Sequence, residues 1–281
     1  MEPRTREHSS TFRSTQDFWT RHEAGKQYDR EFQGLLGQYV HRSELEPVLD
    51  VIGRKKNLKI LDVGCGTGRY LAELDVENRL VGLDLSASML EEAKTRCGNS
   101  SFIGGSSTAL PFFDNAFDIV FSVRVIQHIQ DQTRMIQELA RVCRPGGTVI
   151  LLSYNSWSLL NIYKQIRMSW VGRVLNFPFG VLLGRRSFFG PWGFLYDNYC
   201  SIPEIKHSMR NCKVKVVRSW GVTSAMPWFL NDFFIGTALQ KWLPNFFHFY
   251  LNTFLCLDRT IARLFPFKYM MDKVLVAGIK E

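Results

Sequence analysis

The segment Leu58-Lys-Ile-Leu-Asp-Val63 runs straight into Gly64-Cys-Gly-Thr-Gly68, and no other stretch restricts the fold of this chain as tightly. A short, nearly continuous apolar run is the pattern of a strand buried on both faces. Glycines directly after such a strand bring the backbone close to a ligand, because side chains there would collide with it. Arg69 to Leu74 then opens a helix. The chain is thus expected to be built on an open α/β sheet.

The alternation continues. Arg79 to Leu85 reads as a second strand, and Ser86 caps a helix running to about Cys97. Ser101 to Ile103 is a weaker third strand and Phe117 to Val123 a fourth. Asp131 to Val142 is an amphipathic helix with Met135, Ile136, Leu139 and Val142 on its apolar side. The turn Arg144-Pro-Gly-Gly147 leads into a fifth strand, Thr148 to Leu152. Strands alternating with helices imply a mostly parallel sheet covered on both faces. Ahead of it, residues 15–52 read as one or two helices, the second starting at a capping box of Ser43 and Glu46. Behind it, Ser201 and Glu204 form another capping box, Lys213 to Val217 alternates as a half-exposed strand, and Val274 to Ile279 is a last strand. About seven strands result, interrupted by helical, aromatic-rich insertions.

With 281 residues, 46% hydrophobic and 22% charged, the composition excludes disordered, collagen-like and disulfide-dense chains. The polar N-terminus reads as neither a signal nor a transit peptide. The six cysteines show no CxxC pair and no Cys/His metal spacing, so no metal is expected and reduced thiols in the cytoplasm fit best.

The glycine spacing is G-x-G-x-G with Asp62 inside the strand end. It is not the G-x-G-x-x-G that seats a pyrophosphate on a helix N-terminus, which disfavours a nicotinamide oxidoreductase. The second strand ends in Asp84, sixteen residues after Gly68, where a carboxylate can accept both hydroxyls of a ribose.

Five linked stretches, LDVGCGTG, VGLDLSASMLEEA, ALPFFDNAFDIVFS, VIQHI and ELARVCRPGGTVIL, stand in family order and spacing. They span roughly residues 55–155, which resemble the class I S-adenosylmethionine-dependent methyltransferases, particularly the quinone, small-molecule and lipid branch. The resemblance implies a Rossmann-like, seven-stranded, mostly parallel sheet with an antiparallel last strand, and S-adenosylmethionine as cofactor. It implies that Asp62, Gly64, Gly66 and Gly68 surround the methionine and ribose part, that Asp84 holds the ribose, and that Leu85 lies against the adenine. Ser106, Ser107 and Thr108 would approach the adenine edge, with Ser106 where the family often has Asp. The turn from Ser122 to Arg124 would pass near the sulfonium.

Transfer from an activated donor needs alignment and exclusion of water, plus proton removal for oxygen or acidic-carbon acceptors. His128, just past the fourth strand, is the candidate base, weighed against a packed or cofactor-orienting histidine. Ser153, Tyr154 and Asn155 after the fifth strand provide no acidic partner for it. Tyr154 is a candidate for the acceptor pocket, and Trp19 and Tyr28 for a lid.

The acceptor side is expected in the second half. Residues 151–281 carry 16 basic against 6 acidic side chains, a balance of +10, and hold 26 of the 38 aromatics. The sixteen residues between Lys241 and Asp258 lack charge but are too short to span a bilayer and contain Pro244. Phe247, Tyr250, Phe254, Leu257, Ile261 and Leu264 share one helical face, suited to packing over the fold or to lying on a membrane. With the patches 181–186 and 188–192, this favours a small or lipid-like acceptor and allows contact with an anionic membrane surface. Dispersed basic residues and the lack of an RNA-binding module argue against nucleic acid. The expected organisation is an N-terminal helical lid (1–55), a cofactor-binding core (56–155), and acceptor-covering insertions with closing strands (156–281). The expected function is methyl transfer to oxygen or carbon. The alternatives are a non-catalytic S-adenosylmethionine-binding module and an RNA-modifying methyltransferase.

Overall fold

A computed structural model describes residues 17–21, 24–53, 55–74, 77–158, 161–162, 198–222, 244–261, 263–264 and 267–281. The patches 181–186 and 188–192 lie outside these residues. In chain order the elements are α1 (Ala24–Glu31), α2 (Leu35–Ile52), β1 (Lys59–Val63), β2 (Arg79–Asp84), α3 (Ala87–Arg96), β3 (Ser101–Gly104), β4 (Phe117–Val123), α4 (Gln132–Val142), β5 (Cys143–Tyr154), α5 (Ile202–Asn211), β6 (Val214–Gly221), α6 (Pro244–Ile261) and β7 (Lys273–Lys280).

The seven strands form one sheet in the order β3-β2-β1-β4-β5-β7-β6. Strands β1 to β5 pair in parallel, whereas β7 is antiparallel to both β5 and β6. The strand order reverses beside β1, so the crevice at the carboxyl ends of β1, β2 and β4 is where such a sheet binds ligands.

Period-two alternation sends successive β5 side chains to opposite layers. Val149 and Leu151 join the cluster with Met135, Ile136 and Leu139 of α4 and Ile202, Ile205 and Met209 of α5. Ile150 and Leu152 join the other cluster, with Leu45, Val48 and Ile52 of α2. A third cluster lies outside the sheet, where Leu251 and Leu255 of α6 meet Tyr39 and Val40 of α2.

Caps set several helix starts, at Ser86 and Ser201 as the sequence predicts. The Ser86 hydroxyl accepts from the Met89 N–H, the Asp131 carboxylate from the Arg134 N–H, and Ser201 with Glu204 completes a reciprocal box with Pro203 just inside.

Four expectations are corrected. Ser43 does not cap a helix; it sits inside α2, which begins at Leu35, and its hydroxyl donates to the Val40 carbonyl at 2.8 Å. The turn before it is already helical because Tyr39 and Val40 are held by α6, so no free first-turn N–H remains to be capped. After Gly68 there is only a 3₁₀ turn, Leu71–Glu73, since Arg69 and Tyr70 side chains are drawn toward the N-terminal helices and the chain must soon reach β2. The Arg144-Pro-Gly-Gly147 segment is part of β5 and is absorbed by a shift in register against β4 between Phe117 and Ile119, with Gly146 at φ +73°. On α6 the packed face centres on Leu251 and Leu255, with Tyr250 and Phe254 half-buried beside them, while Leu257, and Leu264 beyond the helix end, are exposed.

Candidate functional site

The turn after β1 places Gly64, Gly66 and Gly68 at φ +76°, +53° and +75°. Gly64 N–H and Cys65 N–H both donate to the Leu83 carbonyl, which ties the turn to the end of β2. A Cβ on Gly64 would lie 2.2 Å from Val125 Cγ2, so only glycine fits there. At Gly66 the space is open apart from the Tyr28 ring, whose Cε1 lies 3.9 Å from the position a Cβ would take.

Asp84 closes this turn from below. One carboxylate oxygen accepts from the Gly66 N–H at 2.8 Å and the other from the Ser86 N–H at 2.9 Å. Burial pushes its carboxyl up, and those bonds oppose the shift. Each oxygen keeps a lone pair for a further donor. Leu85 follows, half-exposed on the rim. The Gly105 N–H donates to the Asp84 carbonyl, placing the next loop alongside. In that loop the Ser106 and Thr108 hydroxyls lie 2.9 Å apart and exposed, while Ser107 is buried.

Asp62 is buried, and neither carboxylate oxygen has a hydrogen-bond partner among the described residues. Burial, then the Asp84 charge, push its carboxyl well above the ordinary range. A buried orphan acid beside an open glycine turn fits a ligand that carries a donor or a cation. Together with the glycine cradle and Asp84, this is a donor and acceptor set suited to an amino-acid nucleoside.

Ser122 and Arg124 differ in where their side chains go. The Ser122 hydroxyl is buried and donates to the Val63 carbonyl at 2.6 Å, so it holds the end of β1 rather than facing the crevice. Arg124 turns into the crevice from a left-handed backbone at φ +57°, its own N–H anchored on the Leu152 carbonyl.

The N-terminal helices close over this rim. Asp29 of α1 pairs with Arg96 of α3 at 2.6 Å and accepts from the Thr67 hydroxyl of the glycine turn. Tyr28 Oη accepts from both Arg69 and Arg124. Trp19 lies edge-on to Tyr28, with ring centres 5.8 Å apart, and 5.7 Å from the His128 ring. His128 Nε2 is 3.2 Å from Gln127 Nε2. Tyr154 at the end of β5 stands over the Lys273 ammonium, 5.3 Å from ring centre to Nζ, and beside Tyr199. The sequence-derived residues Trp19, Tyr28, Arg124 and His128 are therefore brought together over the glycine turn.

Sequence reasoning missed the ionic group behind them. Glu44 of α2 is fully buried; it accepts from the Tyr70 hydroxyl at 2.6 Å and faces Arg124 Nε at 3.5 Å and Lys273 Nζ at 3.1 Å. Burial would raise its carboxyl, but Arg124, Lys273 and the Tyr70 bond overcome this and hold it at about 2. His41, one turn earlier, is lowered to about 4 by burial and by Arg69, so it is neutral near pH 7. The available signal was a glutamate within the apolar run of α2, at a position that faces the core.

A doubly wound sheet with this glycine turn and Asp84 at its switch point has the form in which open α/β proteins bind ligands. Residues 61–151 match the profile of the Methyltransferase domain family. The demethylmenaquinone methyltransferase of Staphylococcus aureus is 32% identical over 148 residues, covering 50% of this chain and 61% of that protein. Among solved structures, a S-adenosylmethionine-dependent methyltransferase from Thermotoga maritima, described as a possible histamine N-methyltransferase, aligns with TM-score 0.59 at 16% identity over 94% of this chain and 99% of its own. The geranyl diphosphate C-methyltransferase of Streptomyces coelicolor, solved with geranyl diphosphate and S-adenosyl-L-homocysteine, aligns with TM-score 0.55 at 15% identity, covering 92% and 84%. Residues 61–151 thus carry a segment similar to methyltransferase domains, and the chain spans about three fifths of the length of the curated relatives it matches.

Proposed function

We propose that this protein transfers a methyl group from S-adenosylmethionine to a small or lipophilic acceptor at oxygen or carbon. The observation that carries the reading is the convergence of Gly64, Gly66 and the buried, doubly bonded Asp84 on one crevice, with the orphan carboxyl of Asp62 beside it. In this reading Asp84 receives the ribose hydroxyls and Leu85 covers the base, with Ser106 and Thr108 at its edge. Asp62 faces the amino-acid end. The bound donor supplies a methyl group already activated as part of a sulfonium, so the chain's own task is to align and to exclude water. Tyr28 and Trp19 form the lid, and Tyr154 borders the acceptor.

Cell extract incubated with the protein and a donor bearing a trideuterated methyl group is expected to yield one acceptor heavier by the labelled methyl in untargeted mass spectrometry. Retained donor with no labelled product would instead favour the non-catalytic binding module.

Peripheral contact with an anionic membrane is a second reading, supported by the outward face of α6. Phe246, Phe249 and Leu257 lie exposed along it, in a half of the chain with a balance of +10. Among the described residues no helix is long and apolar enough to cross a membrane. Flotation with anionic vesicles at low salt is expected to carry the protein upward, and a Phe246→Ser, Phe249→Ser double variant to remain below. Wild-type protein that stays at the bottom ends this reading.

A further inference from the structure

Beside the glycine turn, at the ends of β4, β5 and β7, lies a buried ionic group whose cationic donors are not all met. Glu44 and Lys273 are fully buried and the Arg124 side chain is only 12% exposed. Lys273 Nζ is 3.1 Å from Glu44 Oε1 and 3.6 Å from Asp272 Oδ2. Yet neither Lys273 Nζ nor Arg124 Nε has a well-aligned hydrogen-bond acceptor among the described residues. Arg69 adds a third cation; its contacts are Tyr28, the neutral His41 and the Phe32 ring, 3.3 Å from the guanidinium carbon. Three cations thus lie close together, and donors of two of them, Arg124 Nε and Lys273 Nζ, are poorly met by Glu44 and Asp272. A buried cationic N–H without an aligned acceptor is costly unless an acceptor arrives.

One oxygen already sits where that acceptor would go. The Tyr28 hydroxyl oxygen receives hydrogen bonds from two guanidinium groups, Arg69 and Arg124, donors that also suit an anionic oxygen. Tyr28 belongs to α1, the element that covers the crevice from outside the sheet. Tyr154 and Tyr199 on the far side, with ring centres 5.3 Å apart, and Trp19 on the near side offer flat apolar walls.

We propose that the acceptor is an aromatic compound bound as the anion of its hydroxyl group, received by Arg124 with Lys273 behind it in place of the Tyr28 hydroxyl. The inference rests on the methyltransferase reading and assigns the task of making the acceptor nucleophilic to this cation pair rather than to His128. The hydroxyl proton passes to solvent, the oxygen keeps the electron pair, and no base or further reagent is needed. Once methylated on that oxygen, the product carries no charge and loses the attraction that held the acceptor.

The test uses the full chain saturated with S-adenosylhomocysteine and titrated with 4-nitrophenol, whose anion alone absorbs visible light. Bound probe is expected to be ionised at a pH where free probe is mostly neutral, its apparent pKa lowered by about one unit. Lys273→Met is expected to weaken binding of the anion about tenfold and to return the pKa toward that of free probe, with the S-adenosylhomocysteine affinity unchanged. Tyr28→Phe, which removes the competing oxygen and leaves the ionic group intact, is expected to tighten anion binding. Bound probe that titrates as in water, or a folded Lys273→Met protein that binds the anion like wild type, overturns the proposal. Should Lys273→Met not fold, the wild-type titration and the Tyr28→Phe protein decide alone. Absence of S-adenosylhomocysteine binding would count against the methyltransferase reading instead, and the colour shift of the probe is then read without it.

Discussion

Replacing Glu44 by alanine is expected to destabilise the fold by about 3–5 kcal/mol, because it strands Arg124 and Lys273 in a site without solvent. For a chain of this size the melting temperature falls on the order of 10 °C. The ordinary cost of truncating a buried side chain is exceeded here because two cations lose their shared partner at once, and the Tyr70 hydroxyl loses its acceptor. The same carboxylate has a pH signature. It titrates near 4.5 when unfolded and at about 2 when folded, so its contribution is complete above about pH 4.5 and lost as the pH falls toward 2. Melting curves at a series of pH values are expected to show the gap between wild type and Glu44→Ala closing across that window. A gap that stays constant with pH, or a variant as stable as wild type at pH 7, would mean that the ionic group does not hold α2 to the sheet.

The second large effect is on binding. Asp84→Ala is expected to weaken affinity for S-adenosylhomocysteine by more than about a hundredfold, from the loss of two charge-assisted hydrogen bonds to the ribose at about 1.5–3 kcal/mol each. The substitution also frees the N–H groups of Gly66 and Ser86, but both belong to turns outside the strands, so the seven strands and their two core layers remain. Circular dichroism of the variant should match wild type. Unchanged affinity in a folded Asp84→Ala protein would show that the ribose lies elsewhere.

The contrast between these two residues shows what could be read from the sequence. The position of Asp84 was legible because it is local: it ends a strand a fixed distance after a glycine turn, and the backbone alone brings the two together. The caps Ser86 and Ser201 were legible for the same reason, as were the strands, whose apolar runs follow from burial on both faces. Glu44 and Lys273 lie far apart in sequence and meet only because α2 folds onto β7 at the rim; a glutamate and a lysine at such separation carry no spacing signature. Ser43 misled in the opposite direction. It has the right neighbour for a cap, but packing of Tyr39 and Val40 against α6 extends the helix through it. Ser122 was expected in a turn near the sulfonium, yet it lies buried in β4 and its hydroxyl is spent on the Val63 carbonyl, a contact that depends on the pairing of β4 with β1. The direction of α6 was equally hidden, since aromatics occupy nearly all of its faces and only contact with α2 selects Leu251 and Leu255.

All the functional assignments depend on the crevice beside β1 accepting a sulfonium nucleoside. Isothermal titration of the folded wild-type chain with S-adenosylhomocysteine addresses this without knowledge of the acceptor. Saturable heat with one ligand per chain, largely abolished in Asp84→Ala, is the predicted result. No heat from wild type, or tight binding of a nicotinamide dinucleotide in its place, would contradict the account.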